Sequence, residues 1–435
     1  MTKRMLLAIL LLIVFALPAG CQKQGGEPTQ PTAPAPTILP THTPEPSPTP
    51  TPDPVGEALA GMTVEQKAAQ LLVAGLEGTE PGEDAVQAVQ GYQVGGVILF
   101  GRNVESAEQL AALTNGLKEL NGDYTPLFLC VDQEGGRVDR MPPEVTDLPS
   151  ALDFGSIADP EARMDACFTL GQTLAAQCAA FGFNMDFAPS LDIWSNPENT
   201  VIGDRAFGTD AATVTGAANE TALGILSGGV IPVAKHFPGH GDTAVDSHYG
   251  LPVVDKSLEE LEELELRPFR QAIDTTCVYG TYGGDTSIPA IMVAHILLSQ
   301  IDPDNPASLS PEVVTGLLRE EMGYEGVVCT DDLTMGAISN TYGMGEAAVL
   351  AVEAGCDLLL VCHGADNLAE AHAALVEAVD SGRIPEERLD ESVRRILALK
   401  GAYGLINAPV EAPDIKALND RIAALERSIE ADTSQ

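Results

Sequence analysis

The chain contains few basic residues. Only 23 Lys and Arg stand against 63 Asp and Glu among 435 residues, which gives a net charge of −40. Because contact with phosphate backbones needs clustered Lys and Arg, this shortage argues against a nucleic-acid-binding protein. It also argues against charge-driven docking on an anionic membrane. Apolar residues make up 45% of the chain, so a folded core is expected over most of it.

The apolar run near the start is too short to cross a bilayer. It covers residues 5–17, follows Lys3 and Arg4, and is succeeded by Pro-Ala-Gly. This order of charged, apolar and small residues predicts a signal peptide over residues 1–20. The Ala-Gly-Cys sequence at its end resembles a bacterial lipoprotein cleavage site, in which Cys21 carries the lipid. Pro18 stands where that pattern has Leu, so secretion without a lipid is the alternative.

Residues 21–54 are dominated by Pro and Thr, a composition that cannot bury enough apolar surface to fold. We predict a disordered linker rich in polyproline II, which could hold a domain up to roughly 100 Å from an anchor. The predicted location is extracytoplasmic, with the protein lipid-anchored to a bacterial cell membrane. It would be secreted if Cys21 is not lipidated, and no other membrane contact is expected.

The cysteines give little support to a disulfide framework. Of eight cysteines, seven remain once Cys21 is set aside, which is an odd number. Cys130, Cys329 and Cys362 lie in apolar runs, where a free thiol behaves as a small hydrophobic group. Although export permits disulfides, the sequence predicts mostly reduced thiols.

From about residue 56, short apolar runs alternate with amphipathic helices. Thr63 and Gln66 form a capping box that opens a helix, which we predict across residues 64–76. The apolar runs are nearly continuous, as is typical of parallel strands covered on both faces. Seven such strands are predicted, with an eighth that is short or irregular, and they cover 94–100, 126–136, 183–193, 230–241, 290–296, 326–332 and 357–364.

Polar side chains follow most of these runs. They are Asp132, Asp192, Lys235, His236, His295, Asp331, Asp332 and His363. A TIM barrel brings the carboxyl ends of all its strands to one face, whereas a doubly wound sheet gathers only some of them. The sequence therefore predicts the α/β class, with a single TIM-type (β/α)8 barrel over residues 55–410 after the disordered linker.

Residues 411–435 are predicted to form an amphipathic helix. One stripe of it carries the apolar residues Ile415, Leu418, Ile422, Leu425 and Ile429. The stripe either closes the barrel or forms a short coiled-coil dimer, for which two heptads are few.

The densest concentration of chemically active residues lies at 234–252, a loop after a predicted strand. It contains Lys235, His236, His240, Asp242, Asp246 and His248. His236, His240, Asp242 and His248 could bind a metal. Alternatively one His performs acid/base chemistry, oriented by a carboxylate such as that of Asp246. The structural alternative is a set of buried histidines held by hydrogen bonds.

A second candidate follows the strand at 326–332. Asp331, at the carboxyl end of a barrel strand, is a candidate nucleophile, while Asp332 fits a helix cap. Two further segments, 131–140 and 199–210, pair acids with Arg around Gly turns. His295 and Trp194 each have a site interpretation and a packing interpretation.

Together these segments resemble glycoside hydrolase family 3, and within it the bacterial β-N-acetylglucosaminidases. The resemblance covers about residues 57–405. It rests on the segments DQEGGRVDR, FAPSLDI, IGDRAFG, KHFPGHGDTAVDSH, PFRQAI, IMVAHI and GVVCTDDLTMGAI, in the family's order. Relatives often carry a second domain after the barrel, and a single-domain form is expected here.

The resemblance implies a role for individual residues. Asp331 would be the nucleophile that forms a covalent glycosyl-enzyme, and His248 the general acid/base, with Asp246 as its partner. The substrate-binding positions would be Asp132, Arg140, Arg205, Lys235 and His236. Retaining glycosidases usually use two carboxylates, whereas here an imidazole would replace the carboxylic acid.

The implied activity is removal of terminal non-reducing N-acetylglucosamine, plausibly from peptidoglycan fragments, without cofactor or metal. Three alternatives stay open. A phosphorylase of the same family would use phosphate in place of water, since a neutral imidazole repels an anion less than a carboxylate does. A metal-dependent barrel hydrolase would use the histidines as ligands. A non-catalytic sugar-binding lipoprotein would not need Asp331 and His248.

Overall fold

The structure of the chain is a computed structural model that describes residues 53–243, 246–247, 250–275 and 288–433. The predicted signal peptide, Cys21, His248 and almost all of the linker lie outside these residues, so the corresponding predictions and domain boundaries stay predictions. Within the described residues, no helix is both long enough and apolar enough to span a membrane.

The strands of the described residues follow one another along the chain as short, mostly buried segments. They are β1 Leu72–Gly75, β2 Gly96–Leu99, β3 Phe128–Val131, β4 Met185–Asp186, β5 Ile231–Phe237, β6 Val253–Val254, β7 Ala290–Val293, β8 Leu297–Leu298, β9 Val327–Asp332 and β10 Leu358–Val361. Eight of them close into a parallel barrel in the order β1-β2-β3-β4-β5-β7-β9-β10, and β10 pairs again with β1. The strands β6 and β8 form a separate parallel pair. The predicted TIM-type barrel is confirmed.

Helices alternate with these strands. They are α1 Pro54–Ala60, α2 Val64–Gln70, α3 Glu83–Val86, α4 Ala107–Asn121, α5 Ala151–Gly155, α6 Pro160–Ala180, α7 Ala211–Ser227, α8 Leu258–Glu263, α9 Arg267–Asp274, α10 Gly336–Ser339, α11 Met344–Ala354, α12 Ala365–Asp380, α13 Glu386–Ala402 and α14 Ile415–Thr433. Short 3-10 turns cover Gly101–Asn103, Gly203–Arg205 and Ala307–Leu309, and π-helical turns cover Gln87–Tyr92 and Glu312–Glu321. The Ser106 hydroxyl caps α4 by accepting from the Gln109 amide at 3.2 Å.

The prediction of a helix across residues 64–76 is correct for the first half of this range and wrong for the second half. The capping box of Thr63 and Gln66 is present, but α2 ends at Gln70 and Leu72–Gly75 forms the first barrel strand. This strand is the eighth one, which the sequence alone did not locate. A short apolar run fits a buried strand as well as a buried helix, so only pairing with β2 and β10 decides between them.

Close approach of β10 to β1 depends on Gly75. A Cβ atom at this position would collide with the backbone carbonyl of Cys362, which follows β10 directly. The absence of a side chain therefore lets the carboxyl ends of the two strands pack tightly. The carboxyl end of β10 contributes to the site described below.

The apolar stripe of α14 lies against the barrel. Leu418, Ile422 and Leu425 are buried and belong to the same hydrophobic core as the strands. Asn419 fixes the helix to the chain after β3, because its side chain bonds to the Glu144 carbonyl and the Thr146 amide. This arrangement agrees with a helix that covers the barrel and leaves little of the stripe for a coiled coil.

The cysteines within the described residues are free thiols. Cys130, Cys167, Cys178, Cys329, Cys356 and Cys362 are all buried. Burial raises the pKa of the Cys167 and Cys356 thiols to about 12. The expectation of reduced thiols is confirmed for these six, and Cys277 lies outside the described residues.

Candidate active site

A cavity of about 250 Å³ opens at the carboxyl ends of the barrel strands. Of the eight strand-end residues singled out from the sequence, six line it: Asp132, Lys235, His236, Asp331, Asp332 and His363. The other two, Asp192 and His295, are fully buried behind it and touch its lining residues. The barrel thus brings together side chains that are far apart in the sequence, as expected for an active site of this fold.

The predicted substrate-binding residues lie together. Asp132, Arg140, Arg205, Lys235 and His236 all line this cavity, as does the proposed nucleophile Asp331. Asp246 is half-buried in the loop after β5, next to Ser247, which lines the cavity. The predicted acid/base residue, His248, lies outside the described residues.

Lys235 and His236 both reach the cavity because β5 is irregular. In a regular strand, neighbouring side chains point to opposite faces. The pairing of β5 with β7 shifts register between Ala234 and Phe237. Such an irregularity is common beside active sites, since it redirects side chains.

Lys235 is the centre of a buried charge cluster. Its ammonium lies 2.6 Å from Asp132 Oδ1 and 2.6 Å from Glu134 Oε1, and its side chain is only 1% exposed. Burial alone would lower the pKa of Lys235, but the charges of Asp132 and Glu134 raise it. Lys235 is therefore a cation that holds two carboxylates at fixed positions on the cavity wall.

Glu134 is a site residue that the sequence interpretation did not single out. The Arg205 guanidinium donates two hydrogen bonds to the Glu134 carboxylate, from Nε to Oε2 at 2.9 Å and from Nη2 to Oε1 at 2.8 Å. Burial would raise the pKa of Glu134, but the charges of Arg205 and Lys235 lower it. Glu134 belongs to one of the two segments that pair acids with Arg around Gly turns, and only its contact with Arg205 from the other segment shows its importance.

His236 is held in one tautomer. Its Nδ1 lies 2.6 Å from Asp192 Oδ2, and its Nε2 lies 3.2 Å from Arg205 Nη2. A guanidinium can only donate, so Nε2 accepts and the ring hydrogen is on Nδ1. Burial would raise the pKa of Asp192, but the His236 ring and the His240 amide lower it to about 2. The imidazole is thus firmly oriented.

Asp331 and Asp332 have different environments at the end of β9. Asp331 is half-buried and its Oδ1 accepts from the Asp332 amide at 2.8 Å. Burial would raise the pKa of Asp331, but His295, His236, this amide and Lys235 lower it. The carboxylate is therefore ionised, as a nucleophile must be.

Asp332 stabilises the turn after β9. Its Oδ1 accepts from the amides of Thr334 at 2.9 Å and Cys362 at 3.1 Å, and its Oδ2 accepts from the Thr334 hydroxyl. The N-cap of α10 is Met335, so the prediction that Asp332 caps this helix is wrong, and its carboxylate holds the turn before the helix instead. His295 donates from Nε2 to the Asp332 carbonyl at 3.0 Å, so it supports this strand end from behind.

His240 organises the loop after β5. Its Nδ1 lies 2.8 Å from the Thr243 hydroxyl, its Nε2 lies 3.3 Å from the Ser247 hydroxyl, and its amide donates to Asp192. Burial and the neighbouring His236 lower the pKa of His240 to about 4. For His240, these contacts fit the alternative of a buried histidine held by hydrogen bonds, although it also lines the cavity.

The same loop is linked to elements on both sides. The Ser247 carbonyl accepts from the Ala337 amide at 3.0 Å, at the start of α10, the helix that follows β9. Lys256 lies 2.9 Å from Asp242 and 2.6 Å from the buried Glu265. Asp242, a possible metal ligand from the sequence, therefore forms an ion pair with Lys256.

The depressed pKa of His240 predicts a loss of stability in mild acid. Below about pH 6.5 the unfolded state binds a proton at this residue, and the folded state does not do so until about pH 4. Above about pH 6.5, His240 therefore does not reduce the free energy of unfolding. As the pH drops below this value, the free energy of unfolding falls. We expect about 2–3 kcal/mol less free energy of unfolding at pH 4.5 than at pH 7 from this residue.

Urea unfolding of the wild type and of His240→Gln at both pH values measures this contribution. The free energy of unfolding at pH 7 minus that at pH 4.5 should be smaller by about 2–3 kcal/mol in His240→Gln than in the wild type. In the control His372→Gln this difference should equal that of the wild type. Asp192 titrates lower, since its pKa is about 2, and does not contribute in this window. An equal pH dependence in wild type and His240→Gln would contradict the assignment.

Within the described residues, no three His, Cys, Asp or Glu side chains are arranged to hold a metal ion. The predicted ligand His236 already bonds to Asp192, and the Arg205 guanidinium stands at its other nitrogen. A cation at that nitrogen would be repelled by Arg205. The remaining candidate, His248, lies outside the described residues.

Trp194 does not line the cavity. Its backbone amide bonds to the Gly208 carbonyl at 3.0 Å, and its side chain is half-buried. The packing interpretation of this residue therefore fits the structure better than stacking on a sugar in the cavity.

The fold, the carboxylate at the end of β9 and the charged cavity wall define a glycoside hydrolase. Residues 63–399 match the glycosyl hydrolase family 3 N-terminal domain, and the chain belongs to this family. A protein named beta-hexosaminidase from Nitrosomonas eutropha is 36% identical over 331 residues, which are 75% of this chain and 91% of that protein. The family assignment made from the sequence is confirmed.

Two solved structures show the same fold. A glycoside hydrolase family 3 β-N-acetylglucosaminidase from Paenibacillus sp. str. FPU-7 superposes with a TM-score of 0.77 at 41% identity, over 85% of this chain and 69% of that one. A β-N-acetylhexosaminidase from Beutenbergia cavernae gives a TM-score of 0.69 at 33% identity, over 79% of this chain and 99% of that one.

Proposed function

We propose that the chain is a retaining β-N-acetylhexosaminidase that removes terminal non-reducing N-acetylglucosamine. The observation that carries the proposal is the pairing of an ionised Asp331 with a charged wall in one cavity of about 250 Å³. Such a cavity suits one sugar ring, since its hydroxyls need several fixed donors and acceptors. The acetamido sugar is suggested by the relatives, which include a beta-hexosaminidase and a β-N-acetylglucosaminidase.

The charged wall would orient the terminal sugar. The Asp132 carboxylate, held by Lys235, is suited to accept hydrogen bonds from two sugar hydroxyls, while Arg140 and Arg205 are suited to donate to hydroxyl or acetamido oxygens. The His236 ring cannot move without breaking its bonds to Asp192 and Arg205. Positioning of this kind lowers the entropy cost of reaching the transition state.

Asp331 would attack the anomeric carbon and displace the leaving oxygen, which gives a covalent glycosyl-enzyme with inverted configuration. His248, partnered by Asp246, would give a proton to the leaving oxygen as its bond to carbon breaks. Water would then attack the same carbon and pass a proton back to His248. The second inversion frees Asp331 and restores the original configuration.

The place of action is also a proposal. A signal peptide over residues 1–20, lipid on Cys21 and a linker over 21–54 would put the barrel outside the cell membrane. Peptidoglycan fragments are the substrates within reach there that carry N-acetylglucosamine.

Hydrolysis of two chromogenic substrates by purified protein tests the activity. We expect the 4-nitrophenyl β-N-acetylglucosaminide to react at least about 100-fold faster in kcat/KM than the β-glucoside, because a site that hydrogen-bonds an acetamido group discriminates against its absence. Proton NMR at early times should show the β-anomer of the released sugar first. First release of the α-anomer would contradict a glycosyl-enzyme.

The remaining alternatives have distinct outcomes in the same assay. Sugar 1-phosphate formed in phosphate buffer would indicate a phosphorylase in place of a hydrolase. Loss of activity with a chelator, restored by metal, would indicate the metal-dependent hydrolase. Binding of N-acetylglucosamine oligomers without turnover would indicate a sugar-binding protein.

A further inference from the structure

The cavity has two chemically different walls. The wall formed by the ends of β3 and β5 and by the loops after β3 and β4 carries the charged residues Asp132, Glu134, Arg205, Lys235 and His236. A second wall, formed by the ends of β10 and of β2, the neighbour of β3, presents Ile98, Phe100, Leu360, Cys362 and His363. The charged wall accounts for the terminal sugar, and the second wall has no role in that proposal.

The outer part of the second wall is a pair of stacked rings. The ring centroids of Phe100 and His363 lie 5.8 Å apart, with an angle of 24° between the ring planes. The His363 side chain is 56% exposed, whereas Phe100 is half-buried, so the pair runs from the cavity to its mouth. We call these two residues the Phe100–His363 shelf.

Neighbouring side chains hold the shelf in place. The Arg102 guanidinium lies 4.6 Å from the centre of the Phe100 ring, within the range of a cation–π contact. The same guanidinium donates to the Leu76 carbonyl at 3.0 Å and to the Cys362 carbonyl at 2.8 Å. Arg102 therefore ties β2 to the residue that precedes His363.

Two amides fix the backbone of the shelf. Asn103 Oδ1 accepts from the Phe100 amide at 2.9 Å, and Asn367 Nδ2 donates to the His363 carbonyl at 2.8 Å. The shelf is thus an ordered, partly exposed ring surface before any ligand arrives. Such a surface loses little conformational entropy when it binds a ligand.

We infer that the Phe100–His363 shelf binds the leaving group of the substrate, and specifically the sugar ring that carries the leaving oxygen. This inference rests on the proposed function, which assigns the charged wall to the terminal sugar. The leaving group must then extend toward the mouth, where His363 is exposed. The C–H face of a pyranose ring is apolar and packs well on an aromatic surface.

Two substrates with different leaving groups test the shelf. In β-N-acetylglucosaminyl fluoride the leaving group is a single atom that cannot reach the shelf, whereas N,N′-diacetylchitobiose leaves with a full sugar ring. The informative quantity is the kcat/KM for the disaccharide divided by the kcat/KM for the fluoride. This ratio cancels effects on the nucleophile and on the terminal sugar.

We expect His363→Ala and Phe100→Leu each to lower this ratio about 3- to 10-fold, the size of one aromatic contact. His363→Phe should keep the ratio within about twofold of the wild type, because it retains the ring surface. The matched control is His372→Ala, since His372 also packs against an aromatic ring, with its ring centroid 4.8 Å from that of Tyr92, but does not line the cavity. Its ratio should equal that of the wild type.

An unchanged ratio in both His363→Ala and Phe100→Leu overturns the shelf while leaving the proposed function intact. If His363→Ala and His363→Phe lower the ratio equally, the shelf is also overturned, because the imidazole would then act by hydrogen bonding and not as a ring surface. Failure of the wild type to hydrolyse either substrate overturns the proposed function and the shelf with it.

Discussion

Replacement of Asp331 by Ala is expected to lower kcat on 4-nitrophenyl β-N-acetylglucosaminide by on the order of 10⁴-fold or more. Losses of this size follow removal of a nucleophile from an enzyme that works through a covalent intermediate. Asp331 is ionised, is fixed by the Asp332 amide and lines the cavity, whereas the neighbouring Asp332 carboxylate is engaged by the amides of Thr334 and Cys362. Steady-state kinetics with a sensitive fluorogenic substrate measure the loss.

Sodium azide gives this experiment a product that identifies the missing group. In Asp331→Ala, azide can enter the vacated space and displace the leaving group in a single inverting step, which gives the α-glycosyl azide. A matched control is Asp255→Asn, which removes a carboxylate bonded to Ser299 and Gln300 and absent from the cavity lining. Wild-type kinetics for Asp331→Ala, or β-glycosyl azide as its product, would contradict the nucleophile assignment.

Lys235→Met is expected to reduce the free energy of unfolding by about 3–5 kcal/mol, because it leaves a buried carboxylate cluster without its central cation. Met has a similar volume, so the loss would come from charge and not from a cavity. The pair Lys235–Asp132 also orients a proposed substrate contact, so we expect a large fall in kcat/KM. Urea denaturation at pH 7 and initial rates measure the two effects.

A second substitution separates these effects. Asp132→Asn in the Lys235→Met background removes the carboxylate charge that Lys235 neutralised, whereas Glu134 keeps its Arg205 partner, so stability should partly return while kcat/KM stays low. Lys416→Met is the control, since the Lys416 side chain is 82% exposed and pairs with Asp420 on α14. We expect it to change stability by less than about 1 kcal/mol. A Lys235→Met protein as stable as this control would show that the cluster contributes no net stability.

The barrel could be predicted because its signals are local. Continuous apolar runs mark strands covered on both faces, and polar residues after them mark the carboxyl ends that meet at one face. Lys235, His236 and Asp331 follow this pattern directly. The strand Leu72–Gly75 was missed because its apolar run continues a capped helix, and nothing local separates the two.

The contacts inside the site depend on residues far apart in the chain. Glu134 and Arg205 are 71 positions apart, and Lys235 and Asp132 are 103 apart. The sequence offered Glu134 only as one acid beside a Gly turn. Its role became visible when the barrel brought the loop after β3 beside the loop after β4.

The sequence by itself determined the α/β barrel, the family and the face on which chemistry takes place, because apolar periodicity and short motifs are properties of neighbouring residues. Tertiary structure decided which side chains meet: the bond of His236 to Asp192, the charge cluster at Lys235, and the stacking of Phe100 on His363. These pairings arise only when the barrel closes, since closure brings together strand ends that the chain separates by tens to hundreds of residues.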